Sequence, residues 1–160
     1  MDFIESSILD IRVELGRKLI TFDGFAGSGC VSRMLKQHST KVISNDLESY
    51  SCVINKTFLK NSDTIDYKEL QNIIDELNSN KFTDKYDIGI IEKFYAPKDT
   101  NDIKLGERCF YTNENAKIID NIRRSIDDYP EYKDVLLSLL LLKASVHTNT
   151  SGVFKGFYKS

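Results

Sequence analysis

The stretch Thr21–Asp46, TFDGFAGSGCVSRMLKQHSTKVISND, decides the fold. It starts in an apolar strand, turns through three closely spaced glycines, continues with helical periodicity, and ends in a second apolar strand. Strand, helix and strand within so few residues predict a βαβ unit with parallel strands and a right-handed crossover. Glycines between strand and helix permit positive φ and let a ligand approach the main chain. The stretch therefore predicts a nucleotide-type cofactor site.

Outward from this unit, the chain is predicted to be mainly helical. The two strands of the unit are predicted over Leu19–Asp23 and Lys41–Asp46. Tyr86–Phe94 contains three isoleucines and indicates a third strand, a prediction that Gly89 weakens. Helices are predicted over Asp2–Leu15, Cys30–Gln37, Leu47–Phe58, Asp66–Asn78, Asn113–Asp127 (N-capped by Thr112) and Pro130–His147, and loops over 96–106 and 148–160.

Three side-chain placements are predicted from the same periodicity. The apolar face of the predicted helix Leu47–Phe58, which includes Tyr50, is expected to point into the core. The last helix is apolar on nearly every side, so it is expected to lie in the core. Cys30 begins a helix, which would lower its pKa, but packing is its predicted role.

The composition is that of a globular chain without strong charge bias. Apolar residues make up 41%, charged residues 29%, and the formal net charge is −2. The 3 cysteines include no CxxC pair, which argues against a disulfide framework or a zinc site. The apolar run Val135–Leu142 is too short to span a membrane. No secretory signal is visible, so a reducing cytoplasm, no membrane and no metal are the expectations.

Three kinds of cofactor loop compete for the glycine turn. A phosphate-binding P-loop requires Gly-Lys-Ser/Thr, whereas Gly29 is followed by Cys-Val. A dinucleotide fingerprint requires a third glycine where Ser32 stands. The pattern D-x-F-x-G-x-G fits instead, from Asp23 to Gly29. This pattern resembles the first motif of S-adenosylmethionine-dependent methyltransferases.

The chemistry of S-adenosylmethionine suits these residue types. This cofactor is a nucleoside with a sulfonium and an amino-acid tail, and it carries no phosphate. Asp23, at the end of the first strand, suits its ammonium group, and Phe25 is expected to line the pocket. Asp46, after the second strand, can accept hydrogen bonds from both ribose hydroxyls.

The resemblance becomes more specific at Asn45–Leu59, NDLESYSCVINKTFL. Together with the glycine motif, this stretch resembles bacterial adenine-specific DNA methyltransferases of the Dam-like class. The stretches 92–98 (EKFYAPK), 106–123 (GERCFYTNENAKIIDNIR) and 144–159 (ASVHTNTSGVFKGFYK) are similar to one branch of that class, often found in restriction-modification systems. The resemblance implies that S-adenosylmethionine is bound by Asp23, Gly24, Phe25, Ala26, Gly27, Ser28, Gly29, Asn45, Asp46 and Leu47.

The resemblance also implies an α/β architecture, a partial Rossmann-like methyltransferase fold. Its N-terminal part of the parallel sheet, with flanking helices, would be followed by a mainly helical C-terminal region. Residues 1–60 would form the cofactor-binding half, and residues 61–160 would precede catalysis and serve as a possible target-recognition segment. Arg108, Lys155 and Lys159 are the candidates for DNA contact, with solvated surface charge as the alternative.

Two features of this class are missing from the sequence. The catalytic tetrapeptide Asp/Asn-Pro-Pro-Tyr/Phe holds the flipped adenine, but Pro97 and Pro130 are the 2 prolines and are not adjacent. A Gly-Ser-Lys type stretch would lie before Met1. We therefore predict no catalytic residue, and a fragment that is inactive alone and binds the cofactor weakly. Because a sheet edge and apolar helix surface would be uncovered, the fragment is also predicted to self-associate or to be marginally stable.

The predicted function is site-specific N6 methylation of adenine in double-stranded DNA, with S-adenosylmethionine as donor. One alternative is a Rossmann-like methyltransferase of RNA or a small molecule. Another is a non-catalytic split subunit or a degenerate fragment.

Overall fold

The computed structural model describes residues 2–150. Lys155, Lys159 and most of the predicted loop 148–160 lie outside the described residues. The chain divides into two compact units, the first ending at Ile65 and the second beginning at Asp66. No helix in the described part is long and apolar enough to cross a membrane.

The first unit contains the predicted βαβ arrangement. Its strands pair in parallel, with Ile20 opposite Lys41 and Asp23 opposite Ser44, so the mixed α/β class is confirmed. The second strand begins and ends two residues before its predicted bounds, and Asn45-Asp46 follow it as irregular backbone. The elements are α1 (Asp2–Leu15), β1 (Leu19–Asp23), α2 (Cys30–His38), β2 (Ser39–Ser44) and α3 (Ser49–Leu59), followed by a short 3-10 turn (Ser62–Thr64).

A buried histidine joins the first two helices. Arg12 Nη1 lies 3.1 Å from His38 Nδ1, and His38 Nε2 lies 3.0 Å from Glu5 Oε1. Because a guanidinium only donates, Nδ1 accepts and Nε2 carries the proton toward the carboxylate. His38, for which the sequence indicates no chemistry, therefore anchors α2 to α1.

The two faces of the small sheet differ in exposure. Leu19 and Thr21 are buried, whereas Ile20 and Phe22 are 66% and 65% exposed. Alternate strand residues point to opposite faces. One face of this sheet is thus covered and the other is open.

In the described part of the second unit, the chain forms helices joined by loops. Asp66 Oδ1 accepts hydrogen bonds from the backbone N–H groups of Lys68 and Glu69, which makes Asp66 the N-cap of the first helix. The predicted N-cap at Thr112 is confirmed, because its hydroxyl accepts from Asn115 N at 3.1 Å. The helices are α4 (Tyr67–Ser79), α5 (Ile90–Tyr95), α6 (Asn113–Ser125), which continues into a 3-10 turn (Ile126–Asp128), and α7 (Lys133–Val146).

The predicted strand over Tyr86–Phe94 is wrong, because α5 begins inside it. The Asp120 carboxylate accepts hydrogen bonds from Ile91 N at 3.2 Å and Glu92 N at 2.8 Å. A Cβ on Gly89 would lie 2.1 Å from Asp120 Cγ. Backbone donors that a strand would offer to a neighbour are bound by a side chain from α6, and this contact requires glycine.

The last helix also differs from its prediction. It begins at Lys133, after a turn that contains Pro130. Val135 and Leu136 are buried, but Leu139, Leu141 and Leu142 are each exposed to about 40%. A continuous run of leucines does not indicate which side of a helix is covered, so the prediction of an all-round core helix is wrong.

Candidate cofactor site

The glycine turn uses positive φ at two of its three glycines. Gly27 has φ 51° and Gly29 has φ 77°. Gly29 N donates to Ala26 O at 2.8 Å, and Gly29 O accepts from Arg33 N at 2.9 Å in the first turn of α2. Gly29 thus ends the turn and begins the helix, as its conformational freedom allows.

The two predicted parts of the site lie together. Asn45 N donates to Asp23 O at 2.9 Å, and Ala26 N donates to Asn45 O at 3.0 Å. The side-chain amide of Asn45 also donates to Gly24 O at 3.1 Å. Asn45 therefore ties the end of β2 to the start of the glycine turn.

Asp46 completes this connection with its carboxylate. Oδ2 accepts from Gly27 N at 2.7 Å, and Oδ1 accepts from Glu48 N at 3.0 Å. The backbone N–H of Glu48, and then that of Gly27, lower the pKa of the Asp46 carboxyl below its usual value. A carboxylate has about four acceptor positions, so both oxygens keep capacity for a ligand donor.

The described hydrogen bonds leave the glycine turn poorly suited to phosphate. The N–H groups of Ala26, Gly27 and Gly29 donate to Asn45 O, Asp46 Oδ2 and Ala26 O respectively. A phosphate cradle needs such N–H groups to point at the ligand. The Asp46 carboxylate would also repel an anion. Geometry and electrostatics thus argue against a phosphate-binding loop, as did the absence of the P-loop and dinucleotide patterns from the sequence.

Asp23 is oriented by a buried serine that sequence reasoning missed. Ser32 Oγ donates to Asp23 Oδ2 at 2.6 Å, and Ser32 is fully buried. In the sequence, Ser32 was informative only as a position that lacks glycine. A serine on the inner face of a helix that follows an acidic strand end is the signal that could have identified it.

Ser51 and Asn55 belong to the stretch that carries the family resemblance, but the sequence assigned them no role in the site. Both lie on the buried face of α3 and donate to Gly27 O, from Ser51 Oγ at 2.7 Å and from Asn55 Nδ2 at 3.3 Å. The predicted inward face of this helix included Tyr50, which is half exposed. That placement is wrong, because polar residues occupy two inward positions and shift the apparent phase of the apolar stripe.

The remaining predicted residues form the exposed rim of the turn. Phe25 and Leu47 are each 97% exposed. A cavity of about 330 Å³ opens beside Asp23, Gly24 and Phe25. Whether Phe25 lines the pocket of a bound cofactor stays a prediction.

Cys30 is exposed, so its predicted packing role is wrong. Its sulfur lies 3.2 Å from Ser28 Oγ and 3.3 Å from Arg33 Nη2. The Ser28 hydroxyl, followed by the Arg33 guanidinium, lowers the pKa of the Cys30 thiol. Cys30 is therefore a site for chemical labelling directly beside the glycine turn.

The second unit contains the one predicted DNA-binding residue that the structure describes. Arg108 is exposed and donates to Phe94 O at 3.4 Å. It lines a cavity of about 900 Å³ together with Lys93 and Lys98. Glu107, on the same cavity, accepts from Lys98 N and Lys104 N, and these N–H groups, Lys104 first, lower the pKa of its carboxyl. The cavity therefore carries charges of both signs.

Comparisons with known proteins agree on one family. The family model for D12 class N6 adenine-specific DNA methyltransferases matches residues 12–160. The chain is 28% identical over 167 residues to the type II methyltransferase M.NlaIII of Neisseria lactamica, covering 99% of the chain and 46% of that relative. It is 35% identical over 144 residues to the type II methyltransferase M.CviAII of Paramecium bursaria Chlorella virus 1, covering 86% of the chain and 40% of the relative.

A third relative is the modification methylase LlaI of Lactococcus lactis subsp. lactis. It is 31% identical over 150 residues, which cover 86% of the chain and 22% of the relative. The chain thus spans less than half the length of each of these curated relatives. No solved structure gives a significant match.

Proposed function

Because this chain belongs to the D12 class of N6 adenine-specific DNA methyltransferases, we propose that Asp23–Gly29 and Asn45–Leu47 bind S-adenosylmethionine. The observation that carries the proposal is the contact between Asp46 and Gly27 N, 2.7 Å long. It joins the glycine turn to the acidic residue after β2, in the manner of a Rossmann-like cofactor site. The wider architecture is proposed to be Rossmann-like for the same reason.

The residues present fit a cofactor without phosphate. Both Asp46 oxygens are held by backbone donors, so the carboxylate is already oriented to accept from a pair of neighbouring ribose hydroxyls. A Cβ at Gly27 would meet nothing within 4 Å, so the main chain is open to close approach there. Asp23, held by Ser32, would accept from the ammonium group.

The whole protein is proposed to methylate N6 of adenine in double-stranded DNA, within a restriction-modification system in the cytoplasm. When bound, S-adenosylmethionine supplies an electrophilic methyl group. The residues of this chain bind and orient it, which raises the effective concentration of the reacting groups. The tetrapeptide that holds adenine in the resembling class is not among these 160 residues, so the role proposed for this chain is cofactor binding. Family membership does not favour RNA or a small molecule as the substrate.

The second unit is proposed to contribute to DNA binding. Arg108 is the described candidate, and Lys93 and Lys98 line the same cavity. Contacts to phosphate rely on such exposed cations and weaken as salt rises. Lys155 and Lys159, outside the described residues, remain sequence-based candidates for DNA contact.

Calorimetric titration with S-adenosylmethionine tests the cofactor site. We expect Asp46→Ala to weaken binding by on the order of tenfold or more, because charge-assisted hydrogen bonds to the ribose are lost. Glu48→Gln is the matched control. It removes the same charge two residues away and keeps the backbone N–H that holds Asp46, so its affinity should stay close to that of the unaltered chain.

Unchanged affinity in Asp46→Ala would remove the ribose assignment. Equal losses in both variants would attribute the effect to net charge instead of the carboxylate position. Tighter binding of a dinucleotide than of S-adenosylmethionine would overturn the choice of cofactor.

Salt-dependent DNA binding tests the second unit. If Arg108 contacts a phosphate, Arg108→Ala should weaken binding and reduce the salt slope by about one. Arg123→Ala is the control, because Arg123 is an exposed helix cation paired with Asp127 at 3.0 Å. Equal effects of the two substitutions would contradict a specific role for Arg108.

A further inference from the structure

Two buried polar residues of α3 hold the glycine turn from behind. Ser51 Oγ donates to Gly27 O at 2.7 Å, and Asn55 Nδ2 donates to the same oxygen at 3.3 Å. Asn55 Nδ2 also contacts Ser51 O at 2.9 Å and Ser51 Oγ at 3.2 Å. Ser51 is 0% and Asn55 4% exposed, so both act away from solvent. One helix thus fixes the carbonyl of the residue whose N–H binds Asp46.

The orientation of Asn55 follows from this contact. Gly27 O only accepts, so it selects the Nδ2 end of the amide. The Oδ1 end is left buried, without a hydrogen-bond partner among the described residues. It lies 2.5 Å from the position that a Cβ of Gly29 would take. A buried unpaired acceptor is unfavourable, and such local conflicts concentrate at functional sites.

We infer that Ser51 and Asn55 are positioning residues for the cofactor. They hold the Gly27 carbonyl and so restrict the backbone dihedral angles of Gly27, which keeps its N–H, on the other side of the Cα, directed at Asp46 and the main chain in the conformation that the ligand requires. Gly29 is restricted twice, by φ 77° and by the Asn55 side chain, which occupies the space of a Cβ. The inference rests on the proposed S-adenosylmethionine site for its ligand, but the clamp itself can be measured without ligand.

The first measurement is amide hydrogen exchange of the ligand-free chain. Ser51→Ala and Asn55→Ala should speed exchange at Gly27 and Gly29 by about fivefold to tenfold, the effect of one lost hydrogen bond. Thr57→Val is the matched control on the same helix, because it removes a hydroxyl that donates to Val53 O, within α3. Unchanged exchange at both glycines in both clamp variants would overturn the inference.

The second measurement is the affinity for S-adenosylmethionine beside the thermal midpoint of each variant. A positioning role predicts that Ser51→Ala loses about fivefold or more in affinity while its midpoint matches that of Thr57→Val. Faster exchange with unchanged affinity would overturn the positioning role. If the unaltered chain binds no cofactor, the proposed site fails, while the exchange data still decide whether the clamp exists.

A double-mutant cycle separates the two restrictions on Gly29. Gly29→Ala should accelerate exchange through both strain and collision. Asn55→Ala accelerates exchange through its lost hydrogen bond to Gly27 O, but in the Gly29→Ala background it also relieves the collision and leaves the strain. The two substitutions together should therefore have a smaller effect than the sum of their separate effects. Strict additivity would show that Asn55 does not shape the turn, and would count against the inference.

Discussion

The two units each contain a carboxylate that binds backbone N–H groups beside a glycine, and the two carboxylates differ in what they leave free. Asp46 binds Gly27 N and Glu48 N and remains partly exposed. Asp120 binds Ile91 N and Glu92 N and is 8% exposed. Similar hydrogen bonds thus serve one carboxylate that can still accept from a ligand and one that is enclosed by its own unit.

The glycines beside these carboxylates differ in the same way. A Cβ on Gly27 would meet open space, whereas a Cβ on Gly89 would collide with Asp120. Gly27 is needed for its φ of 51°, while Gly89 is needed because a side chain fills the space beside it. The comparison distinguishes a turn with open space, where the ligand is proposed to bind, from a contact that is closed by packing.

The largest expected effect is that of Gly89→Ala. Its Cβ would lie 2.1 Å from Asp120 Cγ, and overpacking of this kind costs roughly 1–3 kcal/mol or more. We expect urea denaturation to show a clear loss of stability in the second unit. Gly106→Ala is the control, since Gly106 has φ 92° but open space around a Cβ, and its strain alone should cost about 1–2 kcal/mol.

Combining Gly89→Ala with Asp120→Ala sharpens this test. The double variant removes the collisions with Asp120 Cγ and Oδ2 and keeps the one with Cβ, 2.4 Å away. Because part of the collision is relieved, its loss of stability should be smaller than the sum of the single losses. A result in which Gly106→Ala destabilises more than Gly89→Ala would contradict the closed contact at Asp120.

This contrast also shows what a sequence can predict. The first unit is local in sequence: strand, glycine turn, helix and strand follow one another, so periodicity and motif spacing predicted the βαβ unit and brought Asp23–Gly29 to Asn45-Asp46. The α5 region depends on Asp120, which lies about thirty positions further along the chain and carries no local signal. Three isoleucines around Gly89 therefore predicted a strand where a helix begins.

The burial of the polar residues behind the turn could not be predicted for a related reason. Apolar periodicity assigns inward positions to hydrophobic residues, whereas Ser32, Ser51 and Asn55 are buried because they bind the main chain or Asp23. The motif residues were predictable from their spacing. The residues that hold them in place depend on a packed geometry that spacing does not encode.

The next effect concerns the stability of the fold at acidic pH. Hydrogen bonds lower the pKa of Asp46 in the folded state, so the unfolded chain takes up its proton first as pH falls. The stabilising contribution is therefore present above the unfolded pKa of about 3.9 and is lost as pH falls through the lower folded value. The difference in stability between the unaltered chain and Asp46→Asn should shrink over that range.

Urea titrations of both chains from neutral pH down to acid measure this difference. In the difference between the two chains, the pH-dependent contributions of other acidic groups with lowered pKa values cancel. These groups are Glu107 and Asp127 in the second unit. A difference that stays constant to the lowest pH would contradict an ionised Asp46 as the group that holds Gly27.

A smaller effect is expected in self-association of this 160-residue chain. The open face of the sheet exposes Ile20 and Phe22, and contiguous apolar surface favours contact between molecules. Sedimentation velocity should show mass increasing with concentration, and Phe22→Lys should reduce it. Leu105→Lys, at a fully exposed leucine of the second unit, is the control. A monodisperse monomer at all concentrations would contradict the prediction.

The smallest effect, and the most local, is on the reactivity of Cys30. Its lowered pKa increases the thiolate fraction near neutral pH, so alkylation should be faster than for an ordinary thiol of pKa about 8.5. Ser28→Ala removes the larger cause of the lowered pKa and should slow the reaction, with Arg33→Ala next. If the cofactor binds along the glycine turn, it should protect Cys30, and mass spectrometry of the alkylated peptide would measure that protection. Equal labelling with and without S-adenosylmethionine, under conditions in which calorimetry shows binding, would place the ligand away from the open turn and remove the distinction drawn between Gly27 and Gly89.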